Sequence, residues 1–222
     1  QVRQRWSTLP EMLLPTLLPL LNSRYVVQQT EPRPREMPLY AHSTSYRDWV
    51  QAWTLWLIRS SRPGDAASLF HIFTSVVRDH DVGIAQYLLP HLVLHILISG
   101  SSQQRRTVLG ESLAVLADQA HPALGYEPER RRLTAQTLFH VLDHVGHWMR
   151  RMRLVPLRMA RRSRWRDALS DVQAIMDELS PDLLAQASLQ CDAYARALLH
   201  FEYRIRAMRP QPPETLLSLI HI

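Results

Sequence analysis

The chain has 222 residues, 46% of them hydrophobic, with six glycines, fifteen prolines and one cysteine, enough apolar material for a sizeable core in one large or two small units. One cysteine excludes an internal disulfide framework and a thiolate zinc centre built by this chain alone, and it fits a reducing, intracellular compartment. The scarcity of glycine argues against an α/β enzyme with phosphate loops, and the formal charge of +6 rests on 26 basic residues that are all arginine, a bias of base composition as much as of phosphate recognition.

In chain order, LPEMLLPTLLPLLNSRYVVQQ is apolar but carries Pro10, Pro15 and Pro19, each removing a helical N–H donor, and predicts a short broken helix. From Thr30 to Pro38, TEPRPREMP reads as an extended linker. In SYRDWVQAWTLWLIRSS, Ser45 is the N-cap and Asp48 the acid three residues on, a capping-box-like start that also suits the helix dipole. Tyr46, Trp49, Trp53, Trp56 and Leu57 then form one broad aromatic face at spacings of three and four. After Pro63-Gly64-Asp65, AASLFHIFTSVVRDH predicts one helix with Leu69, Phe73, Val76 and Val77 as its stripe.

Residues 81–100, DVGIAQYLLPHLVLHILISG, are apolar enough to suggest a membrane segment. A span needs about 20 predominantly apolar residues, and Gln86, Pro90, His91 and His95 interrupt this one. We therefore read a buried helix kinked at Pro90, capped by Asp81, ended by Gly100, with Leu88, Leu89 and Leu92 in the core. SSQQRRTVLGESLAVLADQA gives a further amphipathic helix with Val108, Leu109, Leu113 and Leu116 on one side. A turn-rich HPALGYEPE precedes the longest helical pattern, RRRLTAQTLFHVLDHVGHWMRRMRLV, with Phe139 and Leu142 inward, ending before Pro156.

Between Arg158 and Arg166 the sequence lacks a stripe and predicts a mobile connection; SRWRDALSDVQAIMDELS resumes a helix. Ser180-Pro181-Asp182 is a start signal, and DLLAQASLQ with DAYARALLHFEYRIRAM reads as a helix pair turning near Cys191-Asp192. Small residues Ala185, Ala187, Ala193 and Ala197, with Tyr194, Leu198 and Phe201 as core candidates, let that pair approach closely, as in tetratricopeptide-like repeats. No segment alternates with period two for long enough to be a strand. The expected fold is all-α, an irregular α-solenoid of eight or nine helices stacked as antiparallel pairs, tetratricopeptide- or HEAT-like.

Three constellations carry candidate chemistry. His91 and His95, and again His140 and His144 with His147 and Asp143 close by, stand at spacings that place two imidazoles on one helix face. With no glutamate in an H-E-x-x-H pattern and no nearby cysteine, they read as packing histidines rather than a metal site. Arg150, Arg151, Arg153, Arg158, Arg161, Arg162, Arg164 and Arg166, flanked by Trp148 and Trp165, form a possible nucleic-acid or localisation patch, since arginines with interleaved aromatics neutralise phosphates and stack on bases; the competing reading is a solvated linker. Cys191 reads as a small core residue. No phosphate-cradling loop, nucleophile elbow or kinase catalytic loop is present in the sequence.

Four stretches, SYRDWVQAWTLWLI, YLLPHLVLHILI, TAQTLFHVLDHVGHWMR and LLAQASLQCDAYARALLHFE, follow one another between Ser45 and Arg206. In that order they resemble the helical region leading into the FAT domain of the ATR-type checkpoint kinases, within the phosphatidylinositol 3-kinase-related kinase family. The resemblance implies a non-catalytic scaffold segment of a very large nuclear serine/threonine kinase that answers DNA damage and stalled replication. Its implied partners are the remaining helical and kinase domains of the parent chain and a regulatory protein of the kinase, with no membrane and direct nucleic-acid binding as the rival reading. ATP and Mg²⁺ would be used by the parent kinase; no catalytic, cofactor-binding or metal residue carries over to this segment.

The chain opens on Gln1 rather than methionine and reads as part of something longer. The implied organisation is a broken helix and proline-rich linker over 1–42, a helical repeat region over 43–126, a long helix with a basic connection and a following helix over 127–179, and a tetratricopeptide-like pair at the start of the FAT domain over 180–209. The tail 210–222, PQPPE and then LSLIHI, is out of character with the family from about Leu217.

Overall fold

A computed structural model describes residues 36–62, 64–79, 82–121, 127–154 and 162–208. Among these residues all regular structure is helical: α1 (Leu39–His42), α2 (Tyr46–Ser60), α3 (Asp65–Ile72), α4 (Thr74–Asp79), α5 (Val82–Ser99), α6 (Ser102–Ala120), α7 (Pro128–Leu154), α8 (Arg162–Asp177), α9 (Pro181–Gln190) and α10 (Tyr194–Met208). The fold class is all-α, of the HEAT-like helical-repeat kind, with helices packed in pairs. The chain divides into two compact units at Arg105/Arg106, inside α6.

The first unit is organised around α2. Ser45 Oγ accepts a hydrogen bond from the Asp48 N–H at 3.1 Å, and the Asp48 carboxylate accepts one from the Thr44 N–H at 3.3 Å, so the expected capping acid closes the helix start. Trp49, Val50, Trp53, Leu57 and Ile58 are fully buried, each large side chain contributing roughly 1.5–3 kcal/mol of transfer free energy. Trp49 and Trp53 lie with ring centroids 5.3 Å apart, and Tyr40 meets Trp49 edge-on at 6.2 Å. The short α1, unexpected from the sequence, thus belongs to this core through Leu39 and Tyr40. Trp56, on the flank of the face, is half-buried.

The single helix expected over AASLFHIFTSVVRDH is two. At Phe73 the backbone N–H bonds the Phe70 carbonyl at 3.1 Å, three residues back, before Val77 N–H restores the four-residue bond to Phe73. That tightening turns the chain: Val77 is fully buried, whereas Leu69 and Ile72 are 57% and 50% exposed, so the expected stripe is split between two helices.

Helix α5 pairs with α2 and is long and apolar enough to cross a membrane, yet its buried residues Ala85, Leu88, Leu89, Pro90, Leu92, Val93, Ile96 and Leu97 are core positions of the first unit. Pro90 frees the Gln86 carbonyl; the adjacent Ala85 carbonyl accepts from Thr54 Oγ1 of α2 at 3.4 Å, and the Gln86 side chain donates to Tyr46. Helix α5 ends at Gly100, whose N–H bonds the Ile96 carbonyl at 2.7 Å and where a Cβ would stand 2.4 Å from that oxygen, so only glycine fits. Ser101 and Gln104 then form a reciprocal capping box at 2.7 and 3.2 Å, and Gln104 also donates to the Ser60 carbonyl at the end of α2 at 2.7 Å. Asp81, the expected cap of α5, lies outside the described residues.

In the second unit α6 buries Val108, Leu109, Val115 and Leu116, with Leu113 half-buried. Helix α7 buries Ala135, Leu138, Phe139, Val141, Val145 and Met149 at steps of three and four, and Leu142 is half-buried. Helix α8 begins at Arg162, one residue before the expected helical stretch SRWRDALSDVQAIMDELS. Arginine is a good helix former, so the first turn forms before the apolar stripe begins at Ala168, which is buried with Val172. Helix α9 opens at Ser180-Pro181 as expected, with no side-chain cap bond from Ser180.

The α9–α10 connection is a Schellman turn. Asp192 N–H bonds the Leu189 carbonyl at 3.1 Å and Ala193 N–H bonds the Ser188 carbonyl at 2.9 Å, with Asp192 itself left-handed at φ 59°. Ala185, Ala187, Ser188 and Ala197 of this pair are buried, small residues of the kind that permit close approach. The corollary corrects the expected core: Tyr194 and Leu198 are 59% and 68% exposed, and Phe201 is half-buried. Because Ala197 faces α9, its neighbour Leu198 points about 100° away around the helix.

Candidate functional site

The histidine pairs are separated by their surroundings. His95 stacks edge-on with Phe70 at 5.8 Å and its Nε2 is 3.3 Å from Ser99 Oγ; burial lowers its pKa from the ordinary value. His91 is exposed against the Tyr87 ring at 5.6 Å. His140 and His147 are exposed and His144 half-buried. Among the described residues no three His, Cys, Asp or Glu side chains gather in a way that holds a metal ion.

Asp143 is committed elsewhere. Its carboxylate accepts a bidentate pair of bonds from the Arg196 guanidinium of α10, one at 2.8 Å, and that guanidinium lies 4.8 Å from the centroid of the Phe139 ring. Fork geometry on a carboxylate with an aromatic beneath is the arrangement for which arginine surpasses lysine. His200, one turn along α10, has its pKa lowered by burial first and by the Arg196 charge second, with Asp143 opposing. A second ion pair, Arg204 to Asp182 at 2.7 Å, links α10 to α9. The Arg196 clasp is not foreshadowed by any local pattern: its partners are 53 residues apart, and nothing in local spacing connects them.

Of the arginine cluster, Arg150, Arg151 and Arg153 are exposed in the last turns of α7, and Arg166 is exposed in α8. Arg153 donates to Gln173, which donates in turn to Asp177 at 2.6 Å, so this arginine serves the α7–α8 pairing. Trp165 is 48% exposed and Trp148 half-buried. Arg158 and Arg161 lie outside the described residues, as do the side chains of Arg162 and Arg164.

Cys191 is 4% exposed at the C-cap of α9. Burial pushes its thiol up to about 11, with Arg132 opposing and Asp192 reinforcing, which keeps it protonated and unreactive. The remaining surface feature is apolar. Leu189, Tyr194, Leu198, Leu199, Tyr203 and Ile205 are all 44% exposed or more on the α9–α10 pair; of these, Tyr194 and Leu198 were expected in the core.

A family model for the M-HEAT region of the serine/threonine-protein kinase ATR matches residues 33–221. The chain is 26% identical to protein kinase rad3 of Schizosaccharomyces pombe over 220 residues, which is 92% of this chain and 9% of rad3. It is 26% identical to the serine/threonine-protein kinase ATR of Oryza sativa subsp. indica over 227 residues, 90% of this chain and 8% of that protein. Against the serine/threonine-protein kinase MEC1 of Candida albicans the identity is 23% over 210 residues, 89% of this chain and 9% of that protein. The chain thus spans less than a tenth of the length of these curated relatives. No solved structure matches it. All ten described helices fall within the matched span, and the chain belongs to the ATR-type branch of the phosphatidylinositol 3-kinase-related kinases, as part of their M-HEAT region.

Proposed function

We propose that this chain is a non-catalytic helical scaffold of an ATR-like serine/threonine kinase acting in the DNA-damage and replication checkpoint, in the nucleus. The observation that carries the reading is the coincidence of the family match over 33–221 with helix pairs whose matched stretches supply packing positions, such as Trp49 and Trp53 in α2 and Leu138 and Phe139 in α7. Stacked helix pairs fix distances along a chain, and each repeat passes displacement only to its neighbours. On this reading the segment holds the remaining helical parts and the distant kinase domain in register, leads toward the FAT domain through α9 and α10, and relays the binding of a regulatory protein. ATP and Mg²⁺ are used by the kinase domain of the parent polypeptide.

The test is checkpoint phosphorylation by the full-length kinase after replication stress, with Trp53→Asp placed in the α2 core. Loss of stress-induced phosphorylation, with ATP binding by the kinase domain retained, is the expected result. Wild-type activation by a kinase in which the segment is shown by proteolysis to be unfolded would refute the scaffold role.

A further inference from the structure

Helix α10 exposes large apolar residues and turns smaller and polar ones inward. Its inward face is Ala197 with Arg196, His200 and Arg204, none of the last three exposed, and the two arginines are matched by Asp143 and Asp182. Its outward face carries Tyr194, Leu198 and Ile205, at 59%, 68% and 53% exposure, with half-buried Phe201 on the same side. These four stand at steps of four, three and four, the 3.5-residue seam by which one helix lies alongside another at about 20°. An ordinary surface helix has the reverse polarity, and contiguous exposed apolar residues of this kind mark a contact surface.

We infer that the Tyr194–Leu198–Phe201–Ile205 stripe is the docking face for a further helix of the same parent polypeptide, laid along α10. The inference rests on the scaffold reading above. Two observations select this occupant. The curated relatives are more than ten times as long as the segment they share with this chain, so a covalently tethered helix is available at high effective concentration. The stripe, by contrast, is only about 16 Å long at 1.5 Å per residue, too small by itself for the roughly 800 Å² per partner of a stable dimer. Charge does not call for an acidic or basic partner either, since the exposed Glu202 and Arg206 flanking the stripe pair with each other at 3.4 Å.

The experiment is hydroxyl-radical footprinting with mass spectrometry on the full-length parent kinase and on the 222-residue chain, both at submicromolar concentration. Labelling of Tyr194, Leu198 and Ile205 is expected to be at least about fivefold lower in the full-length protein, with exposed His140 of α7 as the internal reference. Leu198→Glu in the full-length kinase should return Tyr194 labelling toward the level of the isolated chain. Equal labelling in both proteins would overturn the inference. So would protection of the stripe already present in the isolated chain at submicromolar concentration, which assigns the face to a tightly bound second copy, or protection of the full-length kinase that needs an added protein. Footprinting reads coverage and not signalling: a segment dispensable for checkpoint phosphorylation would sink the scaffold role while leaving the coverage result intact.

Discussion

Trp53 tests the packing of the α2–α5 core most sharply, because two opposing effects meet in one side chain. It is fully buried, and its indole Nε1 has no hydrogen-bond partner among the protein groups around it. Replacing it with alanine removes the whole ring and should cost about 3–5 kcal/mol, the range for a large aromatic leaving a cavity. Phenylalanine keeps the contact with Trp49 at 5.3 Å and deletes only about three heavy atoms, a loss of roughly 1–2.5 kcal/mol. It also abolishes a buried donor whose lack of a partner costs about 1–3 kcal/mol. The two nearly cancel, so Trp53→Phe should lie within about 1 kcal/mol of the wild type. Trp49 is the control: it is equally buried but not left without a partner, and Trp49→Phe should be the costlier by about 1–3 kcal/mol. Urea denaturation followed by far-ultraviolet circular dichroism gives the midpoints, compared at constant slope. A Trp53→Phe loss above about 2 kcal/mol, or equal losses at Trp49 and Trp53, would refute the reasoning and mean that Nε1 is satisfied.

Arg196→Ala should cost about 1–2 kcal/mol, since it removes both the bidentate pair and the contact with Phe139; Asp143→Asn should cost less, the carboxylate being 56% exposed and screened, and a double-mutant cycle in which the coupling survives 1 M salt unchanged would contradict the assignment. Cys191, held at about 11, has on the order of a thousandth of its thiol ionised at pH 8, so a disulfide reagent should label it only as fast as the chain unfolds; rapid labelling in native buffer would exclude the buried position. His95 and His200 both have lowered pKa values: the unfolded chain takes up these protons first as pH falls, so their contribution is complete above about 6.5 and is lost as pH drops through the folded values. Replacing both by glutamine should flatten the stability profile as pH falls below about 6.5, and an unchanged slope would refute it. With Tyr194, Leu198 and Ile205 uncovered, the isolated chain should self-associate weakly at high concentration, and light scattering from Leu198→Glu plus Ile205→Glu should fall to the monomer value with stability altered by no more than about 0.5 kcal/mol.

What was legible from the sequence were the local devices. Ser45 with Asp48, Gly100, Ser180-Pro181 and the turn at Cys191-Asp192 all fall where the helices begin and end, because capping chemistry acts over one turn and its signals sit within that turn. The α2 aromatic face was readable for the same reason, through Trp49 and Trp53. The break at Phe73 was not: a switch from a four-residue to a three-residue hydrogen bond leaves no mark in a stretch whose apolar residues suit either continuation. The Arg196–Asp143 clasp was beyond reach because its two ends come from helices far apart in the chain, and Asp143 drew notice only as a neighbour of histidines that it does not serve.

The error at Tyr194 and Leu198 has a different origin. A 3.5-residue apolar stripe says that a helix has a partner, and it is silent on whether that partner is already in hand. In α10 the near neighbours α7 and α9 are met through Ala197 and two charge pairs, Arg196 with Asp143 and Arg204 with Asp182. With those contacts made, Tyr194, Leu198 and Ile205 face out. The sequence therefore encoded two interfaces on one helix, a polar, small-residue one and an apolar one, and the usual assumption that the apolar face is the inner face assigned them in reverse. For a segment that makes up less than a tenth of its relatives' length, the large exposed side chains are the better guide to where the rest of the molecule belongs.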